Sequence, residues 1–216
     1  PHRWRRRCPA SGRADRVIGI DREASLLKDA SERHDAPGAS YLQADLRELQ
    51  ALNIPPADGI WSAYVASYFP NFDTILGSWL TLLKPGGWIA LVEMSDLLGH
   101  RPLAACWRQK ITAYYRRQRE TDMYDFRMGS RLRNNMEKMG LQIIQDSRID
   151  DEELTFRGPA LPAVLDSWTK RLDRMVGFRD YLGEGDYNRF RTDFLAALSA
   201  PDQIGRASCR ERVCHR

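Results

Sequence analysis

No stretch of the 216 residues comes near the ~20 consecutive apolar positions of a membrane span. No signal-peptide pattern opens the sequence, and nothing repeats at a fixed period. The four cysteines include no Cys-x-x-Cys pair, and no His/Cys cluster has metal-ligand spacing. These absences argue against a membrane protein, a zinc module and a disulfide scaffold, and leave a reducing, cytoplasmic setting as the expectation. Of the four histidines, His34 and His100 have no acid or nucleophile at motif spacing. His34 reads as a solvated helix end, and His100 as a minor candidate for a base near the substrate.

The net charge of +4 does not amount to a nucleic-acid surface, because it sits at the two ends. Residues 1–16 hold six arginines against Asp15, and residues 204–216 hold four against Glu211, so the middle is mildly acidic. The N-terminal residues 1–15 read as a ragged segment. Ile204–Val213, "IGRASCRERV", resembles the in-frame translation of a sequencing-library adaptor. Residues 204–216 are therefore expected to be a non-native tail following a domain over 16–203.

Between the ends, apolar runs alternate with helical periodicity. "RVIGID" and "SYLQAD" are short strand patterns, separated by "REASLLKDASERH" with Leu26, Leu27 and Ala30 on one helical face. A turn leads into a strand around Gly59–Ala63. "FDTILGSWLTLLK" then predicts a helix with Asp73 as its cap, and Lys-Pro-Gly-Gly at 84–87 predicts the break before the strand "WIALVEM". Strands alternating with helices imply an α/β fold, a doubly wound and mostly parallel sheet. Beyond Glu93 the pattern is helical. Segments about 97–139 and 159–199 are interrupted by a strand, "LQIIQDSRI", and Met128, Met136 and Met139 read as core.

"VIGID", "QADLREL", "ADGIWSAYVASYFPNF" and "LLKPGGWIALVE", in that order and spacing, resemble the class I S-adenosylmethionine-dependent methyltransferases over about residues 16–150. The resemblance implies a Rossmann-like sheet with the cofactor across the carboxyl ends of its strands. It implies that Asp21 accepts hydrogen bonds from the ribose hydroxyls, with Arg22 beside it. Asp45 accepts from the adenine amino group, the Leu46 amide reaches a ring nitrogen, and Ser62 and Ala63 lie along the methionine portion. Tyr64, Trp107 and Tyr114 are the candidate substrate residues, under helical segments that cover a small organic methyl acceptor. No nucleic-acid, membrane or metal partner is implied, and no catalytic residue stands out.

The family's first strand and glycine-rich loop have no match here, nor does its last, antiparallel strand. Both are expected to be missing, and cofactor binding to be weak. Each residue also has a plainer role: Asp21 and Asp45 as helix or turn caps, Trp107 and Tyr114 as core. The competing functions are a nicotinamide-dependent reductase, for which the Tyr-x-x-x-Lys pair is lacking, and a nonenzymatic or broken Rossmann-like domain.

Overall fold

The computed structural model describes residues 14–34, 37–149, 151, 153–205 and 208–216. Most of the segment 1–15, with its arginine run, lies outside the described residues. The chain divides into two units, Pro1–Ile54 and Pro55–Arg216.

The first unit is one strand–helix–strand crossover. β1 (Val17–Asp21) and β2 (Ala39–Gln43) are parallel, with Val17 opposite Ala39 and Asp21 opposite Gln43. The helix between them, α1 (Ala24–Arg33), presents a weak apolar face: Leu27 and Ala30 are half-buried and Leu26 is 57% exposed. A short 3-10 turn, Leu49–Ala51, buries Leu49.

The second unit carries a four-stranded sheet in the order β3-β4-β6-β5, made of β3 (Ala57–Ala63), β4 (Leu83–Ser95), β5 (Gln142–Ile149) and β6 (Ser208–His215). β3 and β4 are parallel, and β6 is antiparallel to both β4 and β5. The expected α/β architecture is present.

Several expectations are corrected. A last antiparallel strand does exist, formed by residues read as a foreign tail. It is a central strand covered on both faces, with Arg212, Val213 and Cys214 buried in succession and Cys209 buried before them. Lys84-Pro85-Gly86-Gly87 is not the helix–strand turn. The helix before it, α2 (Phe72–Leu80), has already ended, and Leu83 already pairs with Ala57. The next pair is Gly59 with Trp88, so four residues of β4 bulge opposite Asp58 alone. Gly86 at φ +77° supplies the left-handed position of the bulge, and Lys84 bonds Asp58 at 2.8 Å across it. Asp73 does not cap α2 either. Asn71 holds the cap position, and Asp73 sits in the first turn, where its charge suits the helix dipole.

The remaining helices are α3 (Ala105–Glu120), α4 (Met128–Lys138), α5 (Pro162–Asp173), α6 (Val176–Leu182) and α7 (Glu184–Leu198). α4 packs on β4, β5 and β6 through Met128, Leu132 and Met136, all within 1% of full burial, whereas Met139 is 36% exposed. α3, α5, α6 and α7 share an aromatic core that includes Trp107, Tyr114, Trp168, Phe178, Phe190 and Phe194.

Candidate functional site

In the first unit the two candidate acids leave adjacent parallel strands at their carboxyl ends, the edge where open α/β sheets bind ligands. Asp21 is the last residue of β1. Its Oδ1 accepts the Glu23 amide at 2.9 Å, which turns the chain into α1 without making Asp21 the helix cap. Gln43, opposite it, donates its side-chain amide to the Arg22 carbonyl at 3.0 Å. Arg22 itself points to solvent beside Glu23. Asp45 lies two residues past β2 and is gripped by Arg47. Nε donates to Oδ1 at 3.0 Å, Nη2 to Oδ2 at 2.8 Å, and the Arg47 amide to Oδ1 at 2.9 Å. These hydrogen bonds, the side-chain ones first, hold the Asp45 carboxyl below the usual range. The pair is open to solvent, so a ligand's amino group competes with an interaction that contributes little. Leu46 is half-buried.

In the second unit β3 ends on Ser62 and Ala63, paired with Leu91 and Val92 of β4. Tyr64 follows with φ at +59°, a conformation that costs an aromatic residue of order 1–3 kcal/mol and clusters at functional sites. Its amide donates to the Val92 carbonyl at 2.8 Å, and its phenol meets Cys209 Sγ on β6 at 3.3 Å. Burial, then that thiol, pushes the Tyr64 phenol well above its ordinary range. At the end of β4, Asp96 is a second non-glycine residue in the left-handed region, at φ +56°.

Between these positions in the chain lies an acid to which the sequence pattern assigned no site role. Glu93, 1% exposed, lies two residues before the end of β4. Its Oε2 accepts the Ser67 hydroxyl at 2.6 Å and its Oε1 the Ser67 amide at 3.1 Å, from a 3-10 turn over Ala66–Tyr68. Burial raises the Glu93 carboxyl, against the pull of those bonds. The available signal was that Glu93 is the one ionisable residue in "WIALVEM". Burial pushes the phenol of Tyr124 up to about 12. The exposed ring of Tyr68 meets Tyr124 edge-on at 5.0 Å.

Trp107 and Tyr114 are buried in the helical layer. Trp107 packs on Phe190 and donates its indole N–H to Asp193 at 2.7 Å. Tyr114 packs among Phe126, Phe178 and Tyr181. Both belong to the buried cluster of the helical layer.

His100 is buried too, with Gln203 on Nδ1 at 2.8 Å and three aromatic rings around it. Burial, and secondarily Arg171, lowers its pKa to about 4. An unfolded histidine titrates near 6.5, so the stability from a neutral His100 is complete above that pH and is lost as the pH falls through about 4. The expected loss is about 3 kcal/mol. Urea melts across this window would show it, and His100→Phe should flatten the dependence.

Among the described residues no cluster of His, Cys, Asp and Glu could hold a metal ion, and no helix is long and apolar enough to cross a membrane.

Comparison with known proteins adds the following. Residues 5–91 match the model of a methyltransferase domain. A trans-aconitate 2-methyltransferase of Azoarcus sp. (strain BH72) is 36% identical over 76 residues, covering 35% of this chain and 28% of that protein. Among solved structures, a candidate methyltransferase of Bacillus halodurans C-125 superposes with a TM-score of 0.55 at 16% identity, covering 93% of this chain and 81% of its own. Phosphoethanolamine N-methyltransferase 2 of Haemonchus contortus, in complex with S-adenosyl-L-methionine, gives 0.51 at 15% identity, over 93% of this chain and 43% of its own. At these identities the superpositions show a shared fold.

Proposed function

We propose that the chain, whose residues 5–91 match a methyltransferase domain, transfers a methyl group from S-adenosylmethionine to a small organic acceptor. The observation that carries this is the pair of acids, Asp21 and Asp45, at the carboxyl ends of two adjacent parallel strands. A carboxylate accepts from two donors at once, which suits the vicinal hydroxyls of a ribose, and Asp21 has one oxygen beyond the one that takes the Glu23 amide. Asp45 presents its carboxylate to the amino group of the base in exchange for Arg47. The sulfonium supplies an already activated methyl, so the contribution of the protein is to bring nucleophile and methyl into line and to exclude water.

Calorimetric titration with S-adenosylmethionine tests the reading. Asp21→Asn should weaken binding about tenfold, since a hydrogen bond to a charged acceptor is worth ~1.5–3 kcal/mol. Arg47→Ala should strengthen it by removing the competing donor. Absence of binding by the unaltered chain, or indifference to both substitutions, would rule the proposal out.

A further inference from the structure

Away from the strands, an open cleft of about 630 Å³ lies between α3 and α7, wholly within the Pro55–Arg216 unit. That volume falls in the ~300–1,000 Å³ range of small-ligand sites. The two helices are joined across it at two points. Trp107 donates its indole N–H to Asp193 at 2.7 Å, and Lys110 pairs with Asp186. Charge is unevenly spread along the cleft. At one end Lys110 and Arg189 both bind Asp186. Those bonds hold the Asp186 carboxyl below its ordinary value, so two cations stand there against one carboxylate. At the other end stands Asp193. Its Oδ2 takes the Trp107 N–H, and among the described residues its Oδ1 has no partner. Between the ends, Lys110 Nζ lies 5.2 Å from the centre of the Trp107 ring, which packs edge-on against Phe190. That ring and the hydrocarbon stems of Lys110 and Arg189 give the cleft an apolar lining. Arg189 and Asp193 are four residues apart on α7, hence on one face and about 6 Å apart along the axis.

We propose that this cleft binds a small zwitterion of the ω-amino acid class, its carboxylate on Lys110 and Arg189 and its ammonium on Asp193. The ligand's carboxylate shares the two cations with Asp186, since an ammonium and a guanidinium each carry donors beyond those that one carboxylate takes. The free oxygen of Asp193 accepts the ammonium. A chain of about four to six methylene groups spans the distance between the two charges and lies along the apolar lining. An α-amino acid holds its charges too close together to reach both ends. A singly charged ion leaves one end uncompensated. The site uses no residue of Pro1–Ile54, so it stands or falls separately from the cofactor reading above.

Calorimetric titration of the full chain with 6-aminohexanoate tests this. Saturable binding with a Kd of about 0.1–1 mM is expected, and binding at least about tenfold weaker for hexanoate, hexylamine and glycine. Asp193→Asn keeps an acceptor for the Trp107 N–H while removing the charge, and should weaken binding about tenfold, as should Arg189→Gln. Cys106, exposed on the rim of the cleft, locates the site without any substitution. Its alkylation by iodoacetamide, followed on its own peptide by mass spectrometry, should slow several-fold in saturating 6-aminohexanoate and be unaffected by hexanoate. Absence of saturable heat up to about 10 mM, equal binding of any of the three control compounds, or binding that leaves Cys106 unprotected overturns the proposal. Unchanged affinity in folded Asp193→Asn and Arg189→Gln chains does so as well. If either variant fails to fold, the control compounds and the Cys106 protection decide the matter on the unaltered chain.

Discussion

Ending the chain at Gln203 is expected to unfold the Pro55–Arg216 unit. The deleted residues supply β6, which lies between β4 and β5 and bonds to both. Its loss would strip two ladders at once and leave β5 with no described strand partner. Cys209, Val213 and Cys214, each 3% exposed or less, would leave holes against Ile89 and Leu91, themselves 0% and 1% exposed. Arg212 would no longer bond the Gly129 carbonyl that fixes α4 to the sheet. Just before the strand, the paired amides and carbonyls of Ile204 and Arg101, and the Gly205 amide on Phe156, would also go. Each buried side chain is worth ~1.5–3 kcal/mol before the hydrogen bonds are counted. The total is comparable with the ~5–15 kcal/mol that holds a domain together. Circular dichroism should show loss of the cooperative thermal transition. A truncated chain melting within a few degrees of the full one would show that β6 is dispensable.

Trp168→Ala is expected to remove about 3–5 kcal/mol, the largest loss for one residue in the helical layer. The indole is fully buried, 4.9 Å from the His100 ring and 5.2 Å from Phe194, with the Arg171 guanidinium 4.8 Å over it. Its N–H donates to the Glu153 carbonyl at 2.8 Å, and truncation leaves that acceptor without a partner in addition to opening a cavity. Urea denaturation monitored by tyrosine and tryptophan fluorescence would measure it. Trp168→Phe fills much of the space without the donor, so it should cost less than half as much. Equal losses from the two substitutions would show that the hydrogen bond, not the volume, dominates.

The sequence was most informative where periodicity and chain breaks coincide. Alternating strands and helices, the acids ending "VIGID" and following "SYLQ", and the helical character beyond Glu93 could all be read from local pattern, because burial imposes its period on the residues that satisfy it. Lys-Pro-Gly-Gly was legible as a break but not as a bulge. Its meaning depends on Leu83 pairing with Ala57 ahead of it, and pairing is a relation between segments. Trp107 and Tyr114 were ambiguous for the same reason: helical spacing says that a face is covered, not what covers it. Glu93 was legible as the acid ending an apolar strand, but not its role, because its partner, Ser67, is 26 residues away and has no local signature.

By itself the sequence determined the elements, their alternation and the acids at two strand ends, since φ/ψ preference and hydrophobic period act over a few residues. Tertiary structure alone decided that Ser208–His215 enters the sheet between β4 and β5, that Tyr64 and Asp96 are held in the left-handed region, and that Glu93 is sealed beneath Ser67. Each of these depends on residues far apart in the chain, where the energy of burial and pairing exceeds any local preference.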